Sequence, residues 1–214
     1  SLNQGRLQVD GLGVQSFAGG GRSSYIADIG NAQEVTFNLS GALGESETGG
    51  TTINIIPRTG GNRFSGNYFT AYSNGSFYDR NDGTRTSGFS NRLIREYDVN
   101  GAYGGQILQN RLWFYSAARR QERKSDLQTN FRNLNEGVFG ANYKADLSAG
   151  LDSSDKYQNI NVRLTLQATK RDKFNIFWDE QYTCENPCSG PNAGVSVEAT
   201  GTPLTYPLHV AQLS

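Results

Sequence analysis

The chain has 214 residues with 26 Gly, 11 Tyr, 11 Phe, 5 Pro and no Met, at a mean hydropathy of −0.59, a composition that favours strands and turns over helices. Lys plus Arg (20) balance Asp plus Glu (20), so there is no basic surplus to draw nucleic-acid phosphates, and no nucleic-acid partner is expected. No apolar run approaches the ~18 residues of a membrane helix, and residues 1–10 lack the basic start and apolar core of a signal peptide, whereas alternating barrel strands average out as polar and are not excluded.

Residues 1–61 are Gly-rich and short-pitched. Apolar fragments at Leu7 to Val9, Val35 to Leu39 and Ile53 to Ile56 are separated by turn-forming clusters, as in a compact domain of short strands and loops. Tyr25 to Ala32 suits one or two helical turns capped by Ser23 or Ser24, so a small α+β character is expected here.

From Asn62 onward the segments lengthen and alternate. Phe64, Gly66, Tyr68, Thr70 and Tyr72 oppose Ser65, Asn67, Phe69 and Ala71, and Tyr97, Val99, Gly101, Tyr103, Gly105 and Ile107 oppose Asp98, Asn100, Ala102, Gly104 and Gln106, a period of two. Leu112 to Arg123 starts apolar on both faces and ends charged on both, so alternation alone leaves its inward face open. Ile160, Val162, Leu164, Leu166 and Ala168 oppose Asn159, Asn161, Arg163, Thr165 and Gln167; Phe174, Ile176 and Trp178 oppose Asn175, Phe177, Asp179 and Gln181.

Tight turns are predicted at Gln109-Asn110-Arg111 and Lys170-Arg171-Asp172, and long links at about 74–93, 125–156 and 183–206. Short and long links alternate, as in an outer-membrane barrel with short periplasmic turns and long outer loops. A strand of ~12 residues at ~3.3 Å each, tilted near 45°, rises ~28 Å and crosses a hydrocarbon core. Tyr97, Trp113, Trp178 and Tyr182 near strand ends match aromatic girdles. A soluble carbohydrate-binding β-sandwich is the alternative, but its strands run to about 5–6 residues.

Cys184 and Cys188 are the only cysteines and His209 the only histidine, too few soft ligands for a closed zinc site; a small disulfide loop in an oxidising compartment is the preferred reading over two free thiols. Gly19-Gly-Gly21-Arg-Ser-Ser24 lacks the Lys-Ser/Thr of a phosphate cradle, Asp79-Arg-Asn-Asp-Gly83 and Asp152-Ser-Ser-Asp155 match a calcium loop only loosely, and His209 makes a poor triad member. No enzyme activity, metal or cofactor is expected. Arg163 and Asp179, with Arg120 and Glu122, are candidates to face the lumen; Glu34, Glu45, Glu47 and Arg58 are candidate partners from the N-terminal region.

Ala32-Gln-Glu-Val35, Ala42-Leu-Gly44, Gly49-Gly-Thr-Thr-Ile-Asn-Ile-Ile56 and Arg58-Thr-Gly60 resemble the end of the plug domain of TonB-dependent receptors, with Thr51 and Thr52 at the usual leading aliphatic position and Pro57 interrupting the strand tail. Asn62-Arg-Phe-Ser-Gly66, Gly104-Gly-Gln-Ile107, Asn110-Arg-Leu-Trp-Phe-Tyr115, Arg163-Leu-Thr-Leu, Thr169-Lys-Arg-Asp-Lys-Phe174 and Phe177-Trp-Asp-Glu180 resemble the first five barrel strands of the Oar-like subgroup. The resemblance covers about residues 7–183. It implies an all-β chain with 1–61 as the C-terminal part of a plug and 62–214 as the first strands of a transmembrane antiparallel barrel, an open curved sheet of about five out of 22 strands. On that footing, and with no initiating Met, the chain is expected to be an excerpt, the TonB-contacting box lying upstream. Implied are a bacterial outer-membrane location, lipid and TonB as partners, and uptake of an unidentified extracellular substrate; a surface-displayed adhesion barrel is the alternative.

Overall fold

The computed structural model describes residues 5–14, 25–39, 51–77, 92–127, 131–148, 151–189 and 204–214. They form two sheets, and among them the only helical element is a 3-10 turn, Ile29–Asn31, in place of the helix expected over Tyr25 to Ala32. A run containing Gly30 and the turn-former Asn31, with no side-chain cap, has too little propensity to extend further.

The first sheet comprises β1 (Arg6–Val9), β2 (Leu12–Gly13), β3 (Ala32–Asn38) and β4 (Thr52–Pro57) in the order β2-β1-β4-β3. β1 and β4 are parallel, and the other pairs are antiparallel. Asp10 (φ 49°) and Gly11 (φ 82°) close the β1–β2 hairpin, the two left-handed residues that a tight hairpin turn requires, and Asn54 Oδ1 accepts the Gly11 N–H at 3.0 Å.

The second sheet is an antiparallel meander of β5 (Ser65–Asn74), β6 (Arg92–Leu108), β7 (Leu112–Leu127), β8 (Leu151–Gln167), β9 (Lys173–Ser189) and β10 (Leu204–Leu213). It holds six strands where about five were expected. Tight turns at one end, with Asn110 left-handed (φ 58°) and the Thr169 hydroxyl bonded to Asp172, alternate with long links at the other. Between the sheets, Gly60 crosses so close to β7 that a Cβ would collide with the Phe114 carbonyl, which is the physical demand behind the Arg58-Thr-Gly60 turn.

The strands outrun their hydropathy signal. β7 and β8 stay paired through Glu122↔Lys156, Arg123↔Asp155 and Asp126↔Asp152, with Lys124 bridging to Asp152 at 2.6 Å. Both faces are charged there, so alternation vanishes while the backbone ladder persists. In β9, residues 185–188 bulge against Asp155 alone, a break in register between Ser154 and Lys156.

Candidate functional site

Alternation fixes which face of the six-stranded sheet meets the N-terminal region. On β8 and β9 the odd positions Tyr157, Asn159, Arg163, Thr165, Phe177, Asp179, Gln181 and Thr183 are buried. The even positions Ile160, Leu166, Phe174, Ile176, Trp178 and Tyr182 are exposed. Polar side chains are therefore inside and apolar ones outside, the inverse of a soluble sheet.

An apolar seam of Val9, Tyr25, Phe177 and Val210, flanked by Leu7, Val14, Ala27 and Leu208, joins the two sheets. Around it lie three polar clasps. In the first, the Tyr25 hydroxyl donates to Asp179 Oδ2 at 2.6 Å, and Asn159 and Gln181 donate to the same carboxylate. The Gln181 amide holds both backbone groups of Ile26, accepting its N–H at 3.0 Å and donating to its carbonyl at 2.9 Å, and the Tyr157 hydroxyl donates to that carbonyl at 3.2 Å. Burial, and then the negative charge of Asp179, push the Tyr25 phenol well above its usual range, so it remains a neutral donor.

In the second clasp, Asn31 Nδ2 donates to Asp28 at 2.5 Å and to Asn100 Oδ1 at 2.9 Å, Asn100 Nδ2 donates to Asp28 Oδ1 at 3.0 Å, and the Tyr115 hydroxyl donates to Asn31 Oδ1 at 3.2 Å. Arg119 braces the same face through a two-pronged bond to Asp98, at 2.9 and 2.6 Å, and lies over the Tyr157 ring at 5.8 Å. The third clasp is ionic: Arg163 donates to Asp10 Oδ2 at 2.8 Å and to the Pro57 carbonyl at 3.3 Å, while Gln212 Nε2 bonds the Asp10 carbonyl at 3.0 Å.

Arg163 Nε and Gln212 Oε1 are buried with no partner among the described residues, so within these residues the third clasp is incompletely satisfied. Beyond Ile26, toward the long links, a recess of about 220 Å³ carries Glu96, Arg123 and Asp155. Thr183, which also lines it, has a buried hydroxyl oxygen with no partner among the described residues.

Of the residues singled out in the sequence, Arg163 and Asp179 lie at this interface. Arg58 donates to the Ala32 carbonyl within the first sheet at 3.1 Å, and its guanidinium also reaches the Tyr115 hydroxyl on β7, so it does contact the second sheet. Glu34 is exposed on β3, and Glu45 and Glu47, like Gly19 to Ser24 and Asp79 to Gly83, fall outside the described residues. Arg120, expected to face inward, is exposed on the opposite face, since β7 turns Tyr115 and Arg119 inward; Glu122, also expected inward, shares the parity of Arg120 but is buried. Glu122 there pairs with Arg95 at 3.2 Å. Cys184 is buried and disulfide-bonded, and Cys188 is the only other cysteine in the sequence. Asp152, a candidate calcium ligand, is paired with Lys124, and among the described residues no group of three or more His, Cys, Asp or Glu is placed to hold a metal.

Sequence reasoning missed Asp10, Tyr25, Asp28, Asn31 and Asn100. Their one signal was the polarity of the odd positions on β8 and β9, which demands partners from elsewhere in the chain.

No family model and no solved structure matches the chain. A stretch of 115 residues is 33% identical to the "TonB-dependent transporter Oar" of Myxococcus xanthus, covering 50% of this chain and 11% of that protein. The chain thus corresponds to a small part of its curated relative, and the similarity supports a relationship to TonB-dependent receptors.

Proposed function

We propose that the chain is a plug-and-wall portion of an outer-membrane TonB-dependent transporter, with residues 1–61 in the plug and 62–214 in the barrel wall, gating uptake of a large or scarce extracellular nutrient. The observation that carries this reading is the inverted sheet: an exposed apolar outer face, and an inner face that clasps the N-terminal region through buried polar side chains. Phe174 to Tyr182 on β9 spans eight residue steps, about 27 Å along the strand, which at a tilt near 40° rises ~20 Å, close to the ~25 Å apolar band of such barrels.

Polar clasps suit a plug that must leave and return. Each hydrogen bond is worth only about 1 kcal/mol net when water can replace the partner, so a pull transmitted by TonB through an upstream segment opens them one by one, and water entering the lumen re-solvates both sides. The recess beside Ile26, with both charge signs and a hydroxyl that has no partner among the described residues, supports a substrate path on the long-link side. On this reading the chain catalyses nothing, and its partners are lipid, TonB and the substrate.

Fractionation of the full-length protein tests the location: recovery in the outer membrane, resistant to high-salt extraction, is expected, and a soluble pool in periplasm or medium overturns it. Planar-bilayer conductance tests the gate. The full-length protein should be closed and a variant lacking residues 1–61 should conduct; equal conductance defeats the plug assignment.

A further inference from the structure

Where β6, β7 and β8 approach the long links, their inner face carries a row of charge. Glu96 pairs in register with Arg123, and Arg123 with Asp155, giving minus, plus, minus across three strands. All three line the recess of about 220 Å³ that Ile26, held by Gln181 and Tyr157, also lines. Glu96 and Arg123, with Cα atoms about 5 Å apart, form no ion pair with each other among the described residues. Arg119, further down β7, is engaged by Asp98 at 2.9 and 2.6 Å and does not compete for either. Thr183 gives a second, independent sign of a ligand: it lines the same recess, is 4% exposed, and its hydroxyl oxygen has no partner among the described residues.

We propose that this recess receives the free amino end of a peptide substrate, with its α-ammonium on Glu96, its first carbonyl on Arg123 and its first backbone N–H on the Thr183 hydroxyl. This rests on the transport reading above and names its substrate class. Opposite charges set one strand spacing apart match an ammonium and the carbonyl beside it. Asp155 beyond Arg123 keeps the row net negative, which favours a cation, and Lys156, which also lines the recess, stands opposite the buried Glu122. A recess smaller than the ~300 Å³ of a small-molecule pocket admits the end of a chain and not a whole macrocyclic chelate. Its two charge signs do not suit a purely anionic ligand, and the buried Tyr157 ring offers no open platform for a sugar.

The test titrates the full-length protein, in detergent micelles, calorimetrically with an alanine-glycine hexapeptide bearing a free amino end, with its N-acetylated form and with its C-terminal amide. A charge-assisted bond contributes about ten-fold in association and a neutral one about five-fold. N-acetylation should therefore weaken binding at least about ten-fold, Glu96→Gln about ten-fold and Thr183→Val about five-fold, while the amide binds like the free acid. Glu96→Gln should leave the binding of the acetylated peptide unchanged, an equality that a misfolded variant would not show. Equal binding of the free and acetylated peptides by wild type, or no binding of either, overturns the site, while the transport reading, tested by fractionation and conductance, stands. So does weaker binding of the amide alone, which would put the carboxyl end in the recess. Absence of the wild type from the outer membrane instead sinks the transport reading itself.

Discussion

The two faces of the six-stranded sheet are built from the same strands, residue by alternate residue, yet they obey opposite rules. Inward positions such as Asp179, Gln181 and Arg163 are buried and polar and find their partners up to 155 positions away in sequence. Outward positions such as Ile176 and Trp178 are apolar and about half exposed. In water such an outer face would be a large sticky surface; against hydrocarbon it has nothing to hide. The lesson is that the solvent of each face, more than strand propensity, sets its composition.

The comparison breaks hardest at Asp179. Replacing it with Ala leaves the Tyr25 hydroxyl, the Asn159 amide and one Gln181 N–H without their shared acceptor in a buried setting. A loss of about 4 kcal/mol from the attachment of the N-terminal sheet is expected, read as protease sensitivity within residues 1–61 while the remaining strands stay protected. Uniform protection would mean that the clasp contributes little.

One step smaller is an outward charge. Val162 lies mid-band, level with Ser116 and Trp178 by register. Val162→Arg should cost about 3 kcal/mol for folding into vesicles, where the guanidinium meets lipid, and far less for folding in a polar, water-rich detergent shell. An equal cost in both would argue that this face packs against protein rather than lipid.

Tyr25→Phe sharpens the same comparison more gently. It keeps the ring in the seam with Val9 and Phe177 but removes one charge-assisted donor, a loss of about 2 kcal/mol. The phenol also gives a pH signature whose sign follows from burial: its folded pKa is raised above the unfolded ~10, so its contribution is intact below pH ~10 and falls by at most ~1.4 kcal/mol per pH unit above it. A pH titration of N-terminal sheet release in wild type should bend downward past that point, and Tyr25→Phe should lack this bend. A bend of equal size in the variant would assign it to another group.

What could be seen in the sequence follows from this division. β8 and β9 were legible because their two faces differ in polarity at every step. β7 was not, because Ala117-Ala118 and Arg119-Arg120 present the same residue to both faces; only the contacts of Tyr115 and Arg119 settle that Arg120 points outward. β10 was legible only as a strand beginning near Tyr206, after the last long link, and its faces were not. Its inward residues Leu208 and Val210 are apolar because they abut the seam, and Pro207 interrupts its run. The clasp residues of the N-terminal region could not have been named, since Tyr25, Asp28 and Asn31 sit in an irregular segment with no period to betray them.

The smallest effect tests the seam where the faces meet at the short-turn end. Asn62 Oδ1 accepts from the Asn110 backbone N–H at 3.1 Å and from Trp113 Nε1 at 2.8 Å, and its Nδ2 donates to Asn110 Oδ1 at 2.5 Å. Two motifs that looked independent, Asn62-Arg-Phe-Ser-Gly66 and Asn110-Arg-Leu-Trp-Phe-Tyr115, are thereby one clamp that sets where β5 begins relative to the β6–β7 turn. All three bonds are exposed, so water substitutes for them readily and Asn62→Ala should cost no more than about 1 kcal/mol. Its trace should instead be local: the Trp113 indole loses its acceptor and its emission shifts, while the N-terminal sheet stays attached as firmly as in wild type. Detachment of that sheet in Asn62→Ala would show that the clamp, and not the inner-face clasps, carries the attachment.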